Sequence, residues 1–385
     1  MYFTISRYES EYIHKIVNNI YMKSDCRMFY VGDSLIGMDS HVNEIIRRLC
    51  IDRLNDVRMI GICGIGGIGK TTIAKVVYNK IFRQFEHTSF LENVRDGKTR
   101  GFCHLQNQLL SDLQVERNQN VSSAVGQQAT TIEKVLRFKR VFIVLDNIDD
   151  SDQFEHLPID RNWLRKGSRV IITTRNKQLL QEMDDVYEVE KLNSEQAREL
   201  FSLFAFRQNL PKRDFIHLSD RVVRYCDGLP LALKVLGSLL LDKTIFEWES
   251  QLRKLKRKPE ANIQNVLKIS YDELDDTQQK IFLDIACFFN GEDKDYVTRI
   301  LDSCGLDAEI EIRVLYDKCL ISLSKNKILM HDLIQEMGRN IIRSESPDDP
   351  TKWSRLWDPS DVCRAFTIGK VTIKLMNFLK LHKNI

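Results

Sequence analysis

A glycine-rich stretch near the start of the chain carries the residue types that bind phosphate groups. Residues 64–71 read GIGGIGKT, which satisfies the pattern G-x-x-x-x-G-K-[ST], and they lie between an apolar run and a helical pattern. Glycines let such a loop turn its backbone N–H groups toward phosphate oxygens, and the N-terminus of the following helix adds its positive dipole end. The spacing therefore predicts a phosphate-binding loop with these residues: Gly64, Gly66, Gly67, Gly69, Lys70 and Thr71.

The polar residues that end this loop have separate expected roles. The Lys70 ammonium group would neutralise the β- and γ-phosphates of a nucleotide. The Thr71 hydroxyl would be a ligand of Mg²⁺, and Thr72 would be a further donor to the α-phosphate. The sequence thus predicts a site for a nucleoside di- or triphosphate together with Mg²⁺.

Two charged residues end apolar runs further along the chain. Asp146 ends RVFIVLD, and Arg175 ends RVIITTR. Because the carboxyl ends of parallel strands meet at one edge of a sheet, we expect Asp146 beside the loop, where it would hold Mg²⁺ through water. At the same edge, the Arg175 guanidinium would contact a γ-phosphate. The alternatives are a turn or helix-cap role for Asp146 and an ordinary surface charge for Arg175.

The elements that must position these residues alternate between strands and helices. Amphipathic patterns predict helices over residues 8–22 and 40–50, and a helix is expected to start at Thr71, directly after the glycine cluster. Apolar runs predict strands over residues 57–63, 87–91, 140–146, 168–174 and 186–189. Strands that alternate with helices favour the α/β class with a parallel sheet.

From Ser194 onward the periodicity is almost entirely helical. Ser194 begins an apolar-periodic run, residues 228–230 break the pattern, and residues 263–289 again read as helical. Residues 319–323 and 327–330 predict a short hairpin. Helices that are followed by a small hairpin are typical of a winged-helix module.

The composition of the chain excludes several function classes. With 57 basic and 54 acidic side chains the net charge is +3, which gives no general attraction to nucleic acid or to a membrane. The N-terminus lacks the pattern of a secretory signal, and the most apolar stretch, residues 229–241, is too short to span a bilayer. The 9 cysteines are scattered, which favours reduced thiols over a disulfide framework. We therefore expect a soluble protein of the cytoplasm, with the nucleus as a further location.

Seven motifs, in order along the chain, resemble those of the NB-ARC module of plant disease-resistance proteins. The forms FLENVRD, LDNID and FLDIACFF are similar to the subgroup of that family that carries a TIR domain. The resemblance covers roughly residues 8–365, and the motifs are the following: GIGGIGKTT, FLENVRD, RVFIVLDNIDD, GSRVIITTR, GLPLAL, FLDIACFF and MHD.

The resemblance implies a fold and a domain order. A P-loop NTPase domain with a parallel α/β sheet would be followed by an all-α helical domain and a winged-helix domain, and these would close over ADP or ATP with Mg²⁺. The expected boundaries are an N-terminal helical connector over residues 1–30, the nucleotide-binding domain over 31–190, the helical domain over 191–260, the winged helix over 261–345 and a truncated tail over 346–385.

The resemblance also implies nucleotide contacts outside the loop. Ile36 and Gly37 would border the adenine. Pro230 would pack against the nucleotide from the helical domain, and His331 would reach the β-phosphate from the winged helix. Without the resemblance, His331 reads as an ordinary polar residue at a helix start, and the GLPL motif reads as a turn that starts a helix.

The same resemblance makes Lys70, Asp146 and Arg175 the catalytic residues, with Asp146 as the Walker B acid and Arg175 as the sensor arginine. The position after Asp146, where the family usually has a second acid, is Asn147 in this chain. Because an amide cannot accept a proton from an attacking water, we expect at most a slow ATPase.

A nucleotide-dependent switch in plant innate immunity is the function that the resemblance implies. ADP would hold the helical and winged-helix domains closed, and exchange for ATP would release the His331 contact and open the chain. The expected partners are the nucleotide and, in an oligomerising open state, other receptor chains or signalling proteins. Neither nucleic acid nor a membrane is an expected partner.

Three alternatives remain open on the sequence. An active ATPase or nucleotide kinase would use the same loop, a truncated regulatory module would pair with full-length relatives, and a winged helix would bind DNA. The TIR domain and the leucine-rich repeats of the family are expected to be missing from this chain, so no NAD cleavage is assigned to it.

Overall fold

The structure is a computed structural model that describes residues 28–32, 34–97, 101–114, 125–157, 159–257, 260–347, 349–358 and 361–362. The helix predicted over residues 8–22 and the tail after residue 362 lie outside the described residues. The described chain begins with a sheet between layers of helices and continues as packed helices with a small hairpin.

A parallel sheet dominates the first half of the chain. Its five strands are β1 Arg58–Cys63, β2 His87–Leu91, β3 Val141–Ile148, β4 Arg169–Thr174 and β5 Asp185–Glu188. They lie in the order β2-β3-β4-β1-β5, and every neighbouring pair is parallel. The order places β4 between β1 and β3, so the carboxyl ends of these three strands share one edge. The prediction of a parallel α/β sheet is confirmed.

Helices cover both faces of this sheet. They are α1 Met38–Leu49, α2 Lys70–Ile81, α3 Phe102–Asp112, α4 Val125–Phe138 and the short α5 Asp152–His156. Successive residues of β3 point to opposite faces: Phe142 and Val144 join the core that includes α1 and α2, whereas Ile143 and Leu145 join the core that includes α3 and α4. A strand that is buried on both faces reads as a continuous apolar run, which is why the period-2 alternation is absent from the sequence.

Four helices follow the sheet: α6 Ser194–Phe206, α7 Ile216–Cys226, α8 Pro230–Leu240 and α9 Ile245–Arg257. Asn193 caps α6, because its side chain accepts hydrogen bonds from two backbone N–H groups of the first turn. A turn with Asp227 and Gly228 in left-handed conformation separates α7 from α8. Among the described residues, none of the helices has the combined length and apolar character that a bilayer crossing requires.

The last part of the described chain contains α10 Ala261–Asp272, α11 Asp276–Asp284, α12 Lys294–Ser303, α13 Ala308–Asp317 and α14 Asp332–Arg343. The stretch predicted as helical over residues 263–289 divides before α11, because the Asp275 side chain caps that helix, and a π-helical segment, Ile285–Phe289, follows α11 directly. The hairpin is confirmed as β6 Ser322–Ser324 and β7 Lys327–Leu329, which pair antiparallel. Lys325 and Asn326 both have positive φ, 50° and 62°, as a two-residue hairpin turn of type I′ requires.

Candidate functional site

The glycine-rich loop connects β1 to α2, and Lys70 is the first residue of that helix. The Lys70 side chain folds back over the loop, and its Nζ donates to the carbonyl oxygens of Gly64 at 2.7 Å and Ile65 at 3.0 Å. Burial and, to a smaller extent, the neighbouring Arg175 guanidinium lower the pKa of Lys70 to about 8. The loop therefore holds a buried cation against its own backbone.

Asp146 lies beside the loop, as its position at the end of an apolar strand predicted. The Thr71 hydroxyl donates to Asp146 Oδ1 at 2.8 Å, and the Thr173 hydroxyl donates to the same oxygen at 2.7 Å. Thr173 was missed by the sequence reasoning, although a pair of threonines in an otherwise apolar strand was an available signal. The Thr71 hydroxyl and the Asp146 carboxylate are oxygen ligands of the kind that Mg²⁺ takes, so the residues present fit this ion.

Arg175 follows β4 at the same edge of the sheet. Its Nη1 donates to the carbonyl oxygen of Val266 in α10 at 2.8 Å. Burial lowers the pKa of Arg175, and the Arg95 guanidinium adds to that effect. The guanidinium thus connects the edge of the sheet to the helices that follow it.

A cavity of about 260 Å³ opens beside the loop. Eight of the residues predicted to contact nucleotide or phosphate line it: Ile36, Gly67, Gly69, Lys70, Thr71, Thr72, Arg175 and Pro230. The predicted residues outside this lining are Gly37, Gly64, Gly66, Asp146 and His331. Asn147, which the sequence analysis singled out next to Asp146, also lines the cavity, and the lining residues that the sequence reasoning missed are Ser34, Met38, Thr173, Leu200, Leu231 and Lys234.

The GLPL segment closes one side of the cavity through a main-chain contact. The backbone N–H of Leu231, at the start of α8, donates to the carbonyl oxygen of Gly67 at 3.2 Å. Gly67 has φ +80°, and a β-carbon on it would lie 2.7 Å from Leu231 Cβ. Only glycine accommodates both this backbone conformation and this close approach.

The segment before α1 closes the opposite side. Ile36 and Met38 line the cavity, and Gly37 lies between them in left-handed conformation with φ +74° at the N-cap of α1. The two apolar side chains form a wall that a flat aromatic base can pack against. Ile36 lies at the predicted border and Gly37 is outside the lining, and the contact of either residue with an adenine stays a prediction.

The charged side chains that line the cavity directly are all basic, and the Asp146 carboxylate lies behind them on Thr71 and Thr173. The lining contains Lys70, Arg175 and Lys234, and no aspartate or glutamate is among the lining residues. Burial lowers the pKa of Lys234, whose side chain is on α8. Closely spaced cations without carboxylates favour a ligand with several negative charges.

His331 lies outside the cavity lining and contacts the turn that precedes α8. Its Nδ1 accepts a hydrogen bond from the backbone N–H of Leu333 at 3.2 Å and so caps α14. Its Nε2 lies 3.2 Å from the carbonyl oxygen and 3.4 Å from Oδ2 of Asp227. Burial lowers the pKa of His331, and the Asp227 charge opposes that shift. The ring therefore joins the winged helix to α8, and its contact with a β-phosphate stays a prediction.

An ionic network and a thiol pair cross from the sheet to the later helices. Arg95 pairs with Asp149 at 2.9 Å and with Glu273 at 3.1 Å, and Lys318 pairs with the same Glu273 at 3.3 Å. Cys63, at the end of β1, and Cys319, just before β6, are buried in the same apolar core, and the nearby Cys319 thiol and burial raise the pKa of Cys63. We call this set of contacts, together with those of Gly67, Arg175 and His331, the seam.

Two stretches of the chain match models of known domain families. Several disease resistance proteins are, in addition, similar to this chain over most of its length. Residues 38–211 match the NB-ARC domain, and residues 275–346 match the Roq1-like winged-helix domain of disease resistance proteins. Disease resistance protein RUN1 of Vitis rotundifolia is 58% identical over 367 residues, which cover 94% of this chain and 27% of that protein. TMV resistance protein N of Nicotiana glutinosa is 41% identical over 362 residues, which cover 92% of this chain and 31% of that protein.

The chain thus spans between a quarter and a third of the length of these relatives. Among solved structures, the Walker-type ATPase paby2304 of Pyrococcus abyssi has a similar fold, with a TM-score of 0.53 at 12% identity over 79% of this chain and 96% of that one. Residues 38–211 are therefore an NB-ARC domain, residues 275–346 are a Roq1-like winged-helix domain, and both lie in a stretch that is homologous to part of plant disease resistance proteins.

Proposed function

We propose that the chain is the nucleotide switch of a plant immune receptor, closed around ADP and opened when ATP replaces it. The observation that carries this proposal is the cavity in which the phosphate-binding loop faces α8 and the segment before α1. A ligand in that cavity contacts two parts of the chain at once. Its binding can therefore alter how firmly those parts hold together.

The residues at the cavity have separate tasks in this proposal. Backbone N–H groups of the loop, Lys70 and Thr72 bind the phosphate oxygens. Thr71 and, through water, Asp146 hold Mg²⁺, which supplies positive charge beside the phosphates when it is bound. Ile36 and Pro230 pack against the base.

The switch follows from contacts that differ between the two forms. A nucleotide shifts the equilibrium between closed and open forms only by the difference in its affinity for them. Arg175 donates to the Val266 carbonyl in the structure, so contact with a γ-phosphate would remove a bond that holds α10 to the sheet. ATP thus opposes closure, whereas ADP, which has no γ-phosphate, leaves the bond in place.

The open form, in this proposal, pairs with other receptor chains or signalling proteins in the cytoplasm. The switch resets slowly, because Asn147 lines the cavity at the position next to Asp146 and its amide cannot accept a proton from water. Retention of the bound nucleotide then controls signalling more than its hydrolysis does.

The proposal is tested by comparing the ADP affinities of two variants, each with one lysine of α2 replaced by arginine. Lys70→Arg places a broad, planar cation in a tight backbone cradle, so we expect ADP to bind at least about tenfold more weakly. Lys80→Arg, at an exposed position near the end of α2, should bind ADP like the parent chain. Calorimetric titration with ADP and Mg²⁺ measures both. Unchanged ADP affinity in Lys70→Arg would reject the site, and with it the switch.

A further inference from the structure

One cation of the cavity, Lys234, is supplied by α8 and not by the phosphate-binding loop or the sheet. Lys234 lies in the second turn of α8 and lines the cavity together with Lys70 and Thr72. Within the described residues its ammonium group forms no ion pair, and burial is the cause of its lowered pKa. The ammonium group lies over the ring of Phe204, whose centre is 5.7 Å from Nζ.

An uncompensated, half-buried ammonium group is costly in a folded protein. The contact with Phe204 recovers a part of this cost, since a cation within about 6 Å of a ring is attracted to its face. The other cations of the cavity have hydrogen-bond acceptors: Lys70 has the carbonyls of its own loop, and Arg175 has Val266. Lys234 is thus the lining cation that remains available for an anion from solution.

α8 places Lys234 in the lining of the cavity beside the phosphate-binding loop. Pro230 and Lys234 are four residues apart, so they share one face of the helix, and both line the cavity. Leu231, between them, is hydrogen-bonded to the loop through the Gly67 carbonyl. The ammonium group therefore faces the same space as the backbone N–H groups that bind phosphate.

We propose that Lys234 binds a phosphate oxygen of the nucleotide and thereby ties α8 to the ligand held by the loop. This inference rests on the proposed function, because it assigns a further contact in the same site. Its consequence is that the negative charge of the ligand, and not only the shape of its base, holds the helical part of the chain against the sheet. A nucleoside without phosphates would leave Lys234 unpaired.

The test compares Lys234→Met with Lys254→Met in the full chain. Methionine keeps the length of the stem but removes the charge, so packing is largely preserved. Lys254 is an exposed lysine of α9 and provides the matched control. We expect Lys234→Met to bind ADP about tenfold more weakly, the size of effect that one charge-assisted hydrogen bond produces. Lys254→Met should match the parent chain, and Lys234→Arg, which keeps the charge, should recover most of the affinity.

Salt dependence separates a phosphate contact from a structural role. Attraction between charges is screened by salt, so ADP affinity in Lys234→Met should fall less steeply between 50 and 500 mM NaCl (about 14 to 4 Å of screening length) than in Lys254→Met. Equal affinity and an equal salt dependence in the two variants would overturn the inference and leave the proposed function standing. Absence of ADP binding in the parent chain would instead reject both the inference and the proposed function. A loss of affinity with unchanged salt dependence would show that Lys234 acts through packing, which also overturns the inference.

Discussion

The His331 ring contacts two elements of the chain, α14 and the turn between α7 and α8. One of its nitrogens caps α14 and the other contacts the carbonyl oxygen of Asp227. Because Nδ1 accepts a hydrogen bond, the ring is neutral with its proton on Nε2. The charged groups that face it are Asp227, Lys191 and Asp332, and burial still lowers its pKa.

The lowered pKa predicts a pH dependence of stability. Below the ordinary value of 6.5, the unfolded chain binds the proton of His331 more readily than the folded chain does. The stability that the neutral ring contributes is therefore fully present above pH 6.5 and is lost as the pH falls from there toward the folded pKa. The melting temperature should consequently fall less between pH 7.5 and pH 5.5 in His331→Gln than in the parent chain.

His217→Gln provides the control for this measurement, because His217 is exposed on α7. It should show the same pH dependence as the parent chain. Identical plots of melting temperature against pH for His331→Gln and His217→Gln would mean that protonation of His331 does not oppose folding.

Residues with a distinctive chemical pattern could be predicted from the sequence, and residues without one could not. The loop glycines, Lys70 and Thr71 follow a spacing that few other functions require, and Asp146 follows from the rule on strand ends. Leu231 and Lys234 reach the same cavity from a helix more than 150 residues further along the chain. No periodicity marks them, because their place depends on how α8 packs against the loop.

At the scale of elements, a main-chain hydrogen bond joins α8 to the phosphate-binding loop. The N–H of Leu231 satisfies the Gly67 carbonyl, so the start of the helix and the loop share a main-chain bond. The sheet and the order of the helices were predictable, because strand runs and helix caps are local signals. The division of residues 263–289 at Asp275 was not predicted, because its aspartate cap lies inside a stretch that is apolar at helical spacing.

This contact predicts an unequal effect of two glycine substitutions. Gly67→Ala places a β-carbon 2.7 Å from Leu231 Cβ, whereas Gly305→Ala meets nothing within 4 Å. The two glycines have nearly equal positive φ, +80° and +76°, so the backbone strain of alanine is common to both. We expect Gly67→Ala to lose about 1–3 kcal/mol more free energy of unfolding than Gly305→Ala, measured by urea denaturation. An equal loss of free energy of unfolding in the two variants would show that α8 shifts to accommodate the new β-carbon without destabilising the fold.

At the scale of the whole molecule, the seam joins the sheet and its phosphate-binding loop to the later helices at separate points. The network around Glu273, the Arg175–Val266 bond and the thiols of Cys63 and Cys319 all lie along it. Opening would expose each of them to solvent. The alkylation rates of cysteines at the seam and away from it can therefore show whether the seam is closed or open.

Alkylation with iodoacetamide, resolved by site through mass spectrometry, measures that state. Cys319 is buried at the seam and should be protected with ADP but react faster with a non-hydrolysable ATP analogue. Cys226, buried within the helices after the sheet, should stay protected with both ligands, and exposed Cys304 should react with both. Equal protection of Cys319 under ADP and the ATP analogue would contradict opening along this seam.

The seam also has a consequence for how the family can diversify. Arg175 and His331 both end on main-chain carbonyls, those of Val266 and Asp227, and a carbonyl is present whichever side chain the residue has. Substitution of the arginine or the histidine removes a bond, whereas replacement of Val266 by another helix-forming residue keeps the acceptor. Mutational tolerance is thus unequal on the two sides of the Arg175–Val266 contact. At Asp227 the side chain also contacts His331 and the backbone is left-handed, so substitution there is more constrained than at Val266. In the proposed switch, single changes that weaken the closed form should therefore be more frequent at Arg175, His331 and Asp227 than at Val266.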